Sequence, residues 1–168
     1  IFAEGLTICT SVLPVKNGCI TTDGEEMIQL TDTDGDGKAD HRRVIFKGIS
    51  LRDTHACVSN IRYGFDGWIY ATVGYSGVKT EVAGKKFDFR QGVFRFKQDG
   101  SDFELIQGTT NNTWGLGFTE QGDVTGSTAN NNPSWYVSIP KRYYHGTLLK
   151  QPLTPRADSI DKISPLTW

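Results

Sequence analysis

Apolar residues along this chain recur in short alternating runs, not in helical stripes. Met27-Ile28-Gln29-Leu30, Val44-Ile45-Phe46 and Phe94-Arg95-Phe96 combine aliphatic or aromatic positions with flanking Asp, Gly and Lys. This is how strands with an inward face read. Three further stretches share one template: Val12, Gly18, Ile20; Ile61, Gly67, Ile69; and Leu116, Gly122, Val124. All three positions step by 49 residues and then by 55. Lys16-Asn17-Gly18 and Asp66-Gly67 are hairpin signals, so each copy predicts a hairpin with its glycine at the turn. A second element also recurs: Ile28-Gln29-Leu30 leads into an acidic loop, and Phe94-Arg95-Phe96 leads into Gln98-Asp99-Gly100.

Two hairpins per period make four strands, the content of a propeller blade. A β-sandwich also contains hairpins and is the alternative, but the matched offsets favour a repeat. The expected fold is all-β: a β-propeller of about three four-stranded antiparallel blades over residues 1–145, then a loop-like tail over 146–168. Propellers normally close with at least four blades. The chain is therefore expected to be a fragment of a larger propeller, its partners the remaining blades.

Composition agrees with many tight turns: 19 glycines and 11% aromatics in 168 residues. The net charge of −1 gives no electrostatic case for nucleic acid or an anionic membrane. No apolar run approaches the roughly 18 residues of a membrane-spanning helix. The opening Ile1-Phe2-Ala3-Glu4 lacks a start methionine and no signal peptide is visible, so the chain reads as mature or excised material. Cys9, Cys19 and Cys57 have no metal-type or haem-type spacing. Cys9 and Cys19 either pair in an oxidising compartment or serve as small buried hydrophobes; the sequence leaves both open.

Asp32-Thr-Asp-Gly-Asp-Gly-Lys-Ala-Asp40 carries the strongest chemical signal. Carboxylates fall at loop positions 1, 3, 5 and 9, from Asp32, Asp34, Asp36 and Asp40, and the Lys38 carbonyl stands at position 7. Hard cations such as Ca²⁺ take six to eight oxygens from such a loop. An acidic hairpin turn is the plainer reading, since Asp and Gly also build turns. An EF-hand is ruled out, because position 12 is Arg43 where a bidentate Glu belongs, and the flanks are strand-like. The loop is expected to bind calcium structurally.

Phe2-Ala-Glu-Gly-Leu, the Asp32–Asp40 loop, Asp53-Thr-His-Ala, Tyr63-Gly-Phe-Asp-Gly-Trp-Ile-Tyr, Val73-Gly-Tyr-Ser-Gly, Gln91-Gly-Val-Phe-Arg-Phe, Asn112-Thr-Trp-Gly-Leu-Gly-Phe and Ser127-Thr-Ala-Asn follow one another in this order. Together, over residues 1 to about 145, they resemble the N-terminal propeller of the PVC-type haem-binding or membrane-bound dehydrogenase family. These are large secreted planctomycete-like proteins, distantly similar to soluble quinoprotein sugar dehydrogenases. The resemblance implies a secreted or periplasmic, dehydrogenase-like protein acting on sugars or alcohols with a cytochrome electron acceptor. It places haem c only in parts of the parent protein beyond these residues. The alternative is a non-catalytic, calcium-stabilised propeller binding carbohydrate or a protein partner.

The same resemblance supplies candidate site residues. His55 stands close to the position of the base that takes the sugar hydroxyl proton, one residue out of the expected spacing. Asn111 occupies the place of an Arg that holds a carboxylate of pyrroloquinoline quinone. Asn cannot make that charged, forked contact, which argues against a quinone. Trp114 is placed to stack on a sugar face or simply to pack. Tyr75 and Asn130 sit at loop ends, where propellers build ligand sites, though both are equally suited to forming turns. Lys85-Lys86 and Lys141-Arg142 are too short for a nucleic-acid patch.

Overall fold

The computed structural model describes residues 1–130 and 134–151. Among them there is no α-helix. Strands β1 (Val12–Val15), β2 (Gly18–Asp23), β3 (Glu26–Thr31) and β4 (His41–Lys47) form one antiparallel sheet in chain order. A second four-stranded sheet runs β5 (Val58–Tyr63), β6 (Ile69–Val73), β9 (Gly92–Phe96), β10 (Phe103–Gly108). Between β6 and β9 a hairpin of β7 (Val78–Val82) and β8 (Lys85–Phe89) forms a separate two-stranded sheet. The last sheet pairs β11 (Thr113–Phe118), β12 (Val124–Thr128) and the two-residue β13 (Trp135–Tyr136).

The chain is all-β, as its pattern predicts, but the count differs from three four-stranded units. The β7–β8 hairpin enters the second period through a two-residue turn in which Ala83 and Gly84 both take positive φ, 49° and 75°. That twist is what a tight hairpin needs, but Ala-Gly is a far weaker sequence signal for it than Asn-Gly. The third sheet has three strands among the described residues. Of the tail at 146–168, only 146–151 are described, without strand or helix.

The repeated glycines lie at the turn between the first and second strands of their sheets, or begin the second strand. Gly67 and Gly122 are equivalent: each donates its N–H three residues back, to Gly64 O and Thr119 O, with φ of 73° and 88°. Gly18 differs. Asn17 takes the left-handed angle there, φ 55°, and Gly18 begins β2. Glycine is needed at 18 because a Cβ would lie 1.9 Å from Leu30 O on β3.

The second sheet is the middle layer. Strand β6 is buried at all five residues. On one side Ile69, Ala71 and Val73 pack with Phe94 and Phe96 against Ile20, Met27 and Phe46 of the first sheet. On the other, Tyr70 and Val93 meet Leu116, Val124 and Trp135 of the third. The first interface is aromatic: Phe46 meets Phe94, Phe96 and Phe103 edge-on with centroids 5.2–6.1 Å apart. Buried phenylalanines each contribute roughly 2–3 kcal/mol from area alone, and this edge-to-face geometry adds to it.

Candidate functional site

Strand direction sorts the candidate residues onto opposite ends of the sheets. Hairpin turns 16–17, 64–67, 97–102 and 119–122 and the acidic loop occupy one end, since Asp32 N donates to Asn17 O at 2.8 Å and Gln98 bonds Gln29 on β3. The entries to β5 and β11 and the exit of β6 occupy the other. The metal candidates and His55 with Asn111 therefore belong to two separate places.

At the hairpin end, the β3–β4 connection folds back on itself through Gly35 and Gly37, both at positive φ (82° and 84°). One carboxylate oxygen from each of Asp32, Asp34 and Asp40 lies within 4.8 Å of the other two. Oxygens bound to one Ca²⁺ at 2.3–2.6 Å are at most about 5 Å apart, so these three fit a shared hard cation. The backbone holds them in place. Asp32 accepts from Gly35 N (2.6 Å) and Gly37 N (2.9 Å), and Asp40 accepts from the Thr33 hydroxyl (2.6 Å). The Gly35 and then the Gly37 amide hold the Asp32 carboxyl below the usual carboxylate range. Asp36 stands outside this group and accepts from Lys38 N at 2.8 Å. The loop is tied to the N-terminal segment, as Ala39 N donates to Phe2 O at 2.7 Å.

At the opposite end, three loops converge. The carbonyl of Ala56, in the 3₁₀ turn Thr54–Ala56, accepts from Gly74 N (3.0 Å) and Ser76 N (3.4 Å). Gly74 has no room for a side chain, because a Cβ would sit 1.8 Å from Asn112 Oδ1 and 3.0 Å from the Ala56 methyl. His55 projects from this turn with its side chain 94% exposed and Nδ1 3.8 Å from Asp53 Oδ1. Asp53 also caps the turn by accepting from His55 N at 3.1 Å. Asn111 is buried, and its Oδ1 accepts from the Tyr75 hydroxyl and from Asn112 N. It ties loops together and carries neither the charge nor the forked pair of donors that would hold a quinone carboxylate, so this residue does not fit that cofactor. Trp114 is 43% exposed on β11, and its carbonyl accepts from Asn60 Nδ2. Among the described residues, neither Asn111 nor Trp114 hydrogen-bonds His55. Cys57 is buried and donates to Ser50 O and Asp53 O (3.5 Å each), bracing the same loop, while Cys9 and Cys19 are free thiols.

Sequence reasoning missed a charged cluster centred on Arg95. Its guanidinium donates to Asp66 and Glu104, is only 11% exposed, and lies 4.3 Å from the centroid of the Trp68 ring. Arg95 between two inward phenylalanines was the one signal available.

A family model described as "Domain of unknown function (DUF7133)" matches residues 1–166. No curated protein and no solved structure matches the chain.

Proposed function

The chain belongs to the DUF7133 family, and from that premise we propose that it is a calcium-stabilised segment of a β-propeller in a secreted or periplasmic, dehydrogenase-like protein. Its part is to hold a rim of loops for ligand binding. One observation carries the calcium reading: the carboxylates of Asp32, Asp34 and Asp40 converge within 4.8 Å at a hairpin tip. Bound there, the cation would neutralise their mutual repulsion and fix the β3–β4 connection. The Lys38 carbonyl and Asp36 lie in the same loop and would complete the oxygen set. Calcium titration by calorimetry tests this, with melting followed in calcium and in EDTA. Saturable uptake and a lower melting temperature in EDTA are expected, since a ligand that binds only the folded state stabilises it. No uptake, together with an unchanged melting temperature, would remove the proposal.

The propeller reading is supported by lateral bonds between first strands. Thr10, just before β1, bonds Val58 O on β5; Ser11 Oγ accepts from Ile61 N at 3.0 Å; Asn60 on β5 donates to Trp114 O on β11. Successive sheets that meet along their first strands suit blades set around a common axis, with the remaining blades supplied by the parent protein.

A second reading, a sugar or alcohol oxidoreductase working with a cytochrome acceptor, is favoured by the pairing of His55 with Asp53. A carboxylate facing Nδ1 would orient the imidazole to take a hydroxyl proton at Nε2. Dye reduction by the full-length parent with a panel of sugars separates the readings. Turnover lost in His55→Ala supports the enzyme, and no turnover with any sugar leaves the binding scaffold.

A further inference from the structure

A groove of about 250 Å³ lies beside the His55 loop, between residues 50–52, the 75–79 segment and the end of β8. Arg52, Lys79 and Arg90 line it against one carboxylate, Asp88. Asp88 is already engaged, with Lys79 Nζ 3.5 Å from its Oδ2. Among the described residues, neither Arg52 nor Arg90 forms an ion pair with a carboxylate.

The groove is built with some precision. Gly77 has φ 83°, and a Cβ there would come within 2.7 Å of Phe89 O and 3.1 Å of Arg90 Cα. Its bare backbone lets the end of β8 close against the loop and sets Arg90 beside Tyr75. The guanidinium lies 5.3 Å from the Tyr75 ring centroid, and that ring is itself fixed by its hydroxyl bond to Asn111. The guanidinium's N–H donors lie in one plane by resonance, and its seat over the ring limits where that fork can turn. Ser50 lines the groove, and its Oγ accepts from Arg52 N at 3.3 Å, so its hydroxyl proton is still available for donation.

We propose that this groove binds the oxyanion of a small ligand, a carboxylate or phosphate group, with Arg52 and Arg90 as charged donors and the Ser50 hydroxyl as a neutral one. Planar two-oxygen recognition is what arginine forks supply, and no cation in the acidic loop at the other end is required.

The test is an NMR titration of the chain with disodium malonate and, separately, with inorganic phosphate at constant ionic strength, without added calcium. Saturable shifts in the amides of residues 50–52, 76–77 and 90 are expected with at least one probe. Saturation by malonate alone assigns a carboxylate ligand, and saturation by phosphate alone a phosphorylated one. Arg52→Gln and Arg90→Gln should each weaken binding about tenfold or more, the loss of charge-assisted hydrogen bonds. Arg90→Lys, which keeps charge and loses the fork, should also weaken it, while Lys97→Gln at the opposite end leaves it unchanged. Both arginines are exposed, so the variants should fold, as unchanged spectra would verify. Shifts that rise linearly without saturating for both probes, or an affinity unmoved by both Gln variants, would overturn the proposal.

Discussion

Arg95 on β9 stands directly opposite Glu104 on β10, with Nε and Nη2 2.8 and 2.5 Å from the same Glu104 oxygen. The other edge of the guanidinium turns to the β5–β6 hairpin, bonding Asp66 and the Tyr70 hydroxyl (3.1 Å). Glu104 uses its second oxygen for Arg142 Nη1 at 3.0 Å. The Arg95–Glu104 pair thus joins a hairpin turn, two paired strands and the 3₁₀ turn Lys141–Tyr144.

Arg95→Ala should therefore destabilise the fold by about 1–2 kcal/mol, because Glu104, 19% exposed, is left with Arg142 alone, while Asp66, 40% exposed, is partly received by solvent. Arg95→Met, which keeps the volume but not the charge, should lose nearly as much while Asp66 and Glu104 remain. Urea unfolding of both variants checks this. A loss below about 1 kcal/mol in each would show the cluster to be a solvated surface network.

Acid should weaken the same cluster. Burial pushes the Asp66 carboxyl up, but the Tyr70 hydroxyl, the Trp68 N–H and Arg95 outweigh it and hold the group below its ordinary value. A folded value below the unfolded one, near 3.9, means stability that is complete above the unfolded value. That stability disappears as pH falls through the folded value. The difference in urea midpoint between wild type and Asp66→Asn should shrink on going from pH 5 to pH 3. A constant difference over that range would refute the assignment.

The acidic loop makes a graded prediction. Asp32, Asp34 and Asp40 share one cluster, whereas Asp36 lies outside it. Alanine at 34 or 40 should abolish calcium uptake, and alanine at 36 should weaken it by a smaller factor. Calorimetry on the three variants decides this, and equal losses at 34 and 36 would mean that all the carboxylates reach the ion.

Gly126→Ala should unfold the third sheet. A Cβ there would lie 2.1 Å from Gly115 O on the paired strand and 2.3 Å from the Trp135 ring. Neither backbone carbonyl nor buried indole can move aside cheaply, so several kcal/mol of overpacking is expected. Near-ultraviolet circular dichroism should report the lost Trp135 environment, and an unchanged spectrum with an unchanged melting temperature would count against it.

Much of this molecule was legible locally. Period-2 runs such as Met27–Leu30 and Phe94–Phe96 become β3 and β9, and Asp66-Gly67 becomes a hairpin turn, because strand alternation and turn angles are set by a few neighbouring residues. The acidic loop was legible for the same reason: its ligand candidates are spaced within one turn of backbone. Ala83-Gly84 was not, since its left-handed angles at an alanine are imposed by the pairing of β7 with β8. Gly18 looked like a turn residue, yet β3 is what leaves it no side-chain space.

What the sequence by itself determined is therefore the all-β class, the hairpin turn at Asp66-Gly67 and the crowding of carboxylates between β3 and β4. Only tertiary structure decided that Asn111 would be a buried tie to Tyr75, that His55 would stand in solvent beside Asp53, and that Arg52 and Arg90 would share a groove. Those outcomes depend on which sheet faces pack together and which loops meet at their ends. Such contacts join residues tens of positions apart, beyond the reach of any local pattern.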